Sequence, residues 1–174
     1  MSKFVIGEKN LTISVISDLL DNDIKLELGS SARQRILDCC DYLIRKMEKY
    51  DNPIYGINTG FGSLCNHKVS NQDLCSLQTN IVRSHACGTG DKVSNVVVKI
   101  MLLLKIQSLS YGHSGIQLKT VERLIDMYNK NICPVIYQQG SLGASGDLAP
   151  LAHLSLPLIG EGKVVIDGKE FDTI

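Results

Sequence analysis

Gly140-Ser141-Leu142-Gly143-Ala144-Ser145-Gly146-Asp147-Leu148-Ala149-Pro150-Leu151-Ala152-His153 runs from a glycine-rich loop into a helix. Glycines at 140, 143 and 146 interrupt any helical or strand pattern, so the chain is loop as far as Asp147. Asp147 is of the N-cap type. Pro150 falls in the first turn of the helix it would cap, where a missing N–H leaves no helical bond unmade. A helix over about 148–159 is predicted. Taken alone, an Ala-Ser-Gly tripeptide before a capped helix is an ordinary turn. Nor is it the elbow of a serine hydrolase, because Asp147 stands where the G-x-S-x-G pattern needs its last glycine.

Outward from this stretch the chain is mainly helical. Residues 3–6 predict a short strand, and a helix comes next over about 12–21 with Thr12 or Ser14 near its start. Ser30 or Ser31 caps a stronger helix to about Tyr50, with Ile36, Leu37, Cys40, Leu43, Ile44 and Met47 at helical spacing. Asp51-Asn52-Pro53 stops it, and a second glycine-rich loop runs from Tyr55 to about Ser63. Ser70 and Asp73 resemble a capping box opening a helix through Leu74, Leu77, Ile81 and His85, which ends at Gly88. The helix over 94–111 is apolar nearly all round and is expected to be central. Another, over about 117–130, carries Leu118, Val121, Leu124, Ile125 and Tyr128 on one face. The tail from Val164 to Phe171 predicts a hairpin about Asp167-Gly168, its second strand running to Ile174. No repeat or linker divides 1–174, which is expected to be a single domain. A hairpin that stops so abruptly, and long apolar helices with few neighbours, predict a piece of something larger.

Composition narrows the function classes. The 174 residues are 44% hydrophobic, and 18 basic side chains balance 18 acidic ones. A neutral chain with no basic run offers no electrostatic footprint for nucleic acid or an anionic membrane. With no Trp and 5% aromatic residues it also lacks stacking platforms for single strands. The opening MSKFVIGEKN has no apolar h-region, and Lys99 and Lys105 punctuate the greasiest stretch, near Val96–Leu104. A soluble, cytoplasmic protein is expected. Six cysteines (39, 40, 65, 75, 87 and 133) form no CxxC pair and predict buried free thiols. His67, His113 and His153 lack metal-ligand spacing; no metal is expected, and these three predict structural or solvent-facing side chains.

The string Gly140–His153 resembles the signature of the aromatic amino acid ammonia-lyases. In that family the glycine nitrogen attacks the alanine carbonyl and the serine loses water. The product is methylidene-imidazolone (MIO), an electrophile made without an external cofactor. The resemblance implies that MIO forms from Ala144, Ser145 and Gly146. The residue types suit the chemistry: Gly146 has no Cβ to keep its nitrogen from the Ala144 carbonyl, Ala144 is small, and Ser145 supplies a β-hydroxyl as leaving group. A strained loop of this kind persists only where the surrounding fold over-determines it.

Two further stretches match. Tyr55-Gly56-Ile57-Asn58-Thr59-Gly60-Phe61-Gly62 resembles the family's second signature, which implies that Tyr55 takes the substrate's β-proton and that Gly62 contacts substrate. A free phenol titrates near 10, so a base at neutrality needs a shift of roughly 3 units, or about 4 kcal/mol. Gly56, Gly60 and Gly62 permit a mobile, closely packed loop able to act as a lid. Ser84-His85-Ala86-Cys87-Gly88-Thr89-Gly90 is similar to the family's selectivity segment. Histidine-specific members carry His-Ala there, tyrosine-specific ones tend to His-Leu, and phenylalanine-specific ones lack the histidine. His85 is thereby implied to hydrogen-bond the substrate ring. A site built for such a bond rejects an analogue lacking it by about 10⁴ to 10⁵, which excludes phenylalanine better than tyrosine. The stretch Lys105–Gly115 is similar too, although the family more often has Asn and Arg at the places of Gln107 and Tyr111.

The resemblance implies the helical N-terminal domain of the ammonia-lyase (fumarase/aspartase-like) fold, with short β-strands and two glycine-rich active-site loops. It implies deamination of L-histidine to trans-urocanate and ammonia by a homotetramer. The alternatives are a tyrosine or phenylalanine lyase, an aminomutase, or an inactive piece retaining the fold. Family members are far longer, with further active-site Asn, Tyr, Arg and Glu residues beyond position 174.

Overall fold

The computed structural model describes residues 3–70 and 72–173. The chain forms two compact units, each gathered from separated segments. The first is Met1–Arg45, Val93–Cys133 and Val164–Phe171; the second is Lys46–Lys92, Pro134–Lys163 and Asp172–Ile174.

In the first unit, β1 (Lys3–Ile6), α1 (Ile13–Asp21) and β2 (Lys25–Leu28) make a strand–helix–strand crossover. Thr12 caps α1, its Oγ1 accepting from the Val15 N–H at 3.3 Å. β2, which no sequence signal marks, pairs in parallel with β1 from Lys3 opposite Lys25 to Ile6 opposite Leu28. Asn129 satisfies its free edge: Oδ1 accepts from the Leu26 N–H at 2.7 Å and Nδ2 donates to the Leu26 carbonyl at 2.9 Å.

The core of this unit is α4 (Asn95–Ser110) packed on α5 (Leu118–Asn129), with β1 and β2 against them. Val98, Leu102, Leu103, Ile106 and Leu109 of α4 are buried, as are Val121, Leu124, Ile125, Met127 and Tyr128 of α5. The helix is apolar all round, yet only one side of it is covered: Val97 and Leu104 keep 46% and 48% of their surface exposed. Asp23 lies between Lys25 (2.8 Å) and Lys99 (3.1 Å), which hold its carboxyl at about 2. The Lys99 ammonium also donates to Asn131 Oδ1 at 2.6 Å and sits 5.0 Å over the Tyr128 ring. Burial, reinforced by the Asp23 charge, pushes the Tyr128 phenol up to about 12.

α2 (Ser30–Lys49) keeps its predicted span, and its predicted apolar stripe is partly covered, with Cys40, Leu43 and Met47 half-buried. Ala32 and Ile36 are buried, whereas Leu37 and Ile44 are exposed. Gln107 and Tyr111, the two departures from the related pattern, bond to each other one turn apart, the Gln107 amide donating to the Tyr111 hydroxyl at 3.0 Å. β6 (Lys163–Ile166) and β7 (Lys169–Asp172) form the predicted hairpin, with Ile174 outside the described residues. Asp167 and Gly168 both take positive φ (50° and 75°), as a two-residue type I′ turn demands. β4 (Cys133–Pro134) joins them in a sheet of order β4–β6–β7.

The second unit holds α3 (Leu74–His85), α6 (Leu148–Ser155), a 3₁₀ turn at Gly62–Leu64 and another at Leu156–Ile159. The predicted last helix thus tightens to 3₁₀ over its final turn. β3 (Thr89–Lys92) and β5 (Tyr137–Gln139), neither of them predicted, pair antiparallel across a bulge. Neither expected cap forms. Asp73 and Asp147 stand at the N-cap positions of α3 and α6 but have αR backbone (φ −93°, ψ −4° and φ −105°, ψ −13°), not the extended geometry that aims a carboxylate at the N2 and N3 amides. Asp73 instead accepts from Ser70 Oγ at 2.7 Å; Asn71, inside the predicted box, lies outside the described residues.

All six thiols are free: Cys133 is buried, Cys39, Cys40 and Cys65 are half-buried, and Cys75 and Cys87 are exposed, so full burial is met at Cys133 and not at the others. Among the described residues no helix is long and apolar enough to cross a membrane.

Ile106 is fully buried on α4, so Ile106→Ala should cost about 2–5 kcal/mol, read as a lowered urea midpoint. Val97→Ala on the bare side of the same helix should stay within about 0.5 kcal/mol.

Candidate active site

Every candidate residue lies in the second unit. The Tyr55 loop is stapled from inside. Asn58 and Thr59 are buried, a position that hydrophilic loop composition does not foretell. Asn58 Oδ1 accepts from the Ile54 N–H at 2.6 Å, and its Nδ2 donates to the Asn52 carbonyl at 3.2 Å. Thr59 Oγ1 accepts from the Gly56 N–H at 3.3 Å and donates to the Gly60 carbonyl at 3.1 Å. From α3, Gln78 Nε2 donates to the carbonyls of Gly56 (3.0 Å) and Ile57 (2.7 Å). The glycines serve the close packing of this loop. At Gly56, with φ +68°, an added Cβ would lie 2.8 Å from Phe61 Cε1.

Phe61 connects the loop to α3. Its ring centroid is 5.4 Å from that of Tyr55 and 5.3 Å from that of His85, edge-on to the latter at 78°. Tyr55 is 63% exposed, and its hydroxyl has no hydrogen-bond partner among the described residues. Gly62, at φ +56°, opens the 3₁₀ turn, with no atom within 4 Å of where a Cβ would stand. Phe61 is the residue the motif alone does not single out; its place between two ring-bearing positions shows only in three dimensions.

His85 ends α3 half-buried. Its Nδ1 lies 2.7 Å from the Ile81 carbonyl, an atom that only accepts, so Nδ1 carries the proton. In the neutral ring Nε2 is then a free acceptor. The ring lines a cleft of about 200 Å³ with Phe61, Ile81 and Val82 on one side and Leu148, Leu151, Ala152 and Ser155 of α6 on the other.

The loop before α6 is different in kind. Residues 138–148 are exposed throughout, so the described residues do not supply the over-determining packing expected around it. Ala144, Ser145 and Gly146 form a turn in which the Gly146 N–H donates to the Gly143 carbonyl at 3.1 Å. Gly146 is at φ +68°, and no atom lies within 4 Å of a Cβ at Gly143 or Gly146. These residues fit an MIO: the turn is tight, the glycine holds a positive φ that L residues rarely adopt, and the space beside Gly146 is open among the described residues. Closure requires the Gly146 N–H to leave the Gly143 carbonyl. No hydrogen bond joins the tripeptide to Tyr55 or His85 among the described residues.

His153, expected to be structural or solvent-facing, is buried on α6. Its Nε2 accepts from the Gly88 N–H at 2.9 Å, and Tyr137 packs edge-on at 5.2 Å. Burial holds its pKa below the ordinary 6.5. His67 and His113 are exposed. Arg83 of α3 pairs with Glu161 through Nε at 2.8 Å and through Nη2; the pairing raises the Arg83 pKa and lowers that of Glu161.

The three motif segments thus lie in one helical unit with α3 and α6. The chain matches the aromatic amino acid lyase family over residues 11–173, and it belongs to that family. Among curated relatives it is 44% identical to the histidine ammonia-lyase of Legionella pneumophila (strain Corby) over 166 residues, covering 95% of this chain and 33% of that protein. Among solved structures, the histidine ammonia-lyase of Trypanosoma cruzi superposes with a TM-score of 0.84 at 32% identity, over 99% of this chain and 33% of that one. The tyrosine aminomutase of Streptomyces globisporus does so with a TM-score of 0.87 at 29% identity, over 99% and 32%. The fold is the helical ammonia-lyase fold that the resemblance implies. The chain spans about a third of the length of the curated relatives it matches.

Asn58→Ala should orphan the buried Ile54 N–H and cost about 1–3 kcal/mol, with faster proteolytic nicking at 52–60 as the local readout. His153 gives a pH signature. Its folded pKa is depressed, so the unfolded chain takes the proton first as pH falls. Its contribution is complete above 6.5 and declines as pH drops from there to the folded value. That decline should be present in wild type and missing from His153→Gln in urea titrations run at a series of pH values.

Proposed function

We propose that the full-length protein removes ammonia non-oxidatively from L-histidine, giving trans-urocanate, with residues 1–174 as the N-terminal part that carries the electrophile. The observation that carries this is His85. Its Nδ1–H is spent on the Ile81 carbonyl, which leaves Nε2 as the acceptor for a substrate imidazole N–H. Ala86 stands next to it, the pair that marks histidine-specific members in the resemblance, and the 44% identity to a histidine ammonia-lyase supports the same substrate.

MIO, once formed from Ala144, Ser145 and Gly146, supplies an electrophile that turns the substrate amine into a leaving group. Tyr55 takes the β-proton, a role for a positioned base that contributes about 10²- to 10⁴-fold. Gly62 leaves open space for substrate beside Phe61. The working form is a cytoplasmic homotetramer that needs no metal. A tyrosine-specific lyase or aminomutase is the second reading, favoured by the same Nε2 acceptor, which serves a phenol O–H equally well.

Offered L-histidine, L-tyrosine and L-phenylalanine separately, the full-length protein should yield urocanate, and coumarate or β-tyrosine as the main product would overturn the substrate assignment. The peptide carrying Ala144–Gly146 should be two waters lighter than its sequence in wild type and lose that deficit in Ser145→Ala. An unmodified wild-type peptide would remove the electrophile from the mechanism.

A further inference from the structure

Gly88, three residues beyond His85, is a point of convergence. Its N–H donates to His153 Nε2 at 2.9 Å. An added Cβ there would lie 2.8 Å from that nitrogen and 3.2 Å from the Gln139 carbonyl. Gly140, at the entrance to the Ala144–Gly146 loop, packs so closely that its own Cβ would be 2.8 Å from Gly88 Cα. The exit of α3 and the entrance of the loop are thus held at one place, and His153 is the side chain that fastens it. The ring has no freedom to do otherwise. It is buried, Tyr137 closes on it edge-on at 5.2 Å, and acceptance from a backbone amide fixes Nε2 as the unprotonated nitrogen. His153 stands one and a half turns into α6, the helix that the loop feeds.

We infer that His153 is a positioning residue for ring recognition: by holding Gly88 it fixes where His85 presents Nε2 relative to the Ala144–Gly146 loop. The inference rests on the proposed histidine lyase activity for its kinetic part and on the geometry alone for its structural part.

Two variants of the full-length protein separate this role from mere folding. His153→Leu fills the space without an acceptor, and His153→Gln restores one. In His153→Leu the amides of 86–90 should exchange faster with deuterium, and KM for L-histidine should rise about tenfold, the factor of one lost hydrogen bond to a buried amide, with kcat changing less. The peptide across Ala144–Gly146 should keep its two-water deficit, since the cyclising residues are untouched. His153→Gln should recover both the protection and the KM. Equal KM in wild type and His153→Leu, or a His153→Gln as impaired as His153→Leu, would overturn the inference. If wild type makes no urocanate while the exchange pattern follows the acceptor, the functional reading fails and the clamp stands.

Discussion

The absence of room at Gly88 is the constraint on which the site depends. A Cβ at Gly88 would lie 2.8 Å from His153 Nε2, the atom its own N–H bonds, and a Cβ at Gly140 would lie 2.8 Å from Gly88 Cα, while the β3–β5 ladder begins next to both, at Thr89 and Gln139. Because the contact is backbone to ring, it fixes the main chain on either side to within a hydrogen-bond length. A side-chain pair across the same gap would carry its own rotamer freedom. Three segments far apart in sequence, around His85, Gly140 and His153, are thereby brought into one frame. The aromatic contacts of Phe61 then extend that frame to Tyr55.

The two glycine-rich loops have opposite physics despite similar composition. In the Tyr55 loop the buried Asn58 and Thr59 replace water as partners for backbone groups, and Gln78 ties the loop to a helix. In the loop before α6, among the described residues, the Gly146-to-Gly143 turn and the Cys87 thiol on the Gly140 carbonyl are set against the solvent exposure of residues 138–148. Residues 144–146 thus keep few backbone bonds where the Tyr55 loop keeps many. A group that must hold a side chain still gains from the latter.

Much of this was legible in residue order. The four longer helices announce themselves by the spacing of their apolar positions, and Asp167-Gly168 names its turn because only such a pair accepts two positive φ values cheaply. The site motifs were legible as residue types in a fixed order. What escaped was non-local. β2 is four residues, Lys-Leu-Glu-Leu, and exists because β1 pairs with it and Asn129, about a hundred positions on, completes its edge. β3 and β5 are likewise fixed by each other. The caps failed for a local reason that sequence does not encode: Asp73 and Asp147 have the right side chain on the wrong backbone. The role of His153 escaped because an isolated histidine carries no spacing, and its partner is an amide.

One bond in the first unit bears on how that unit assembles. Where the related pattern often places an arginine after α4, this chain has Tyr111, which turns back to Gln107. A cation does reach the negative end of the helix, but from α2: Arg35 Nη2 donates to the carbonyls of Ser110 (3.2 Å) and Gly7 (3.0 Å). Compensation of the α4 dipole is therefore not a property of α4. It arises only when α2 is already docked beside the end of β1, so the last turn of α4, the second helix and the first strand gain their mutual stabilisation together. Local helix formation is converted into long-range cooperativity.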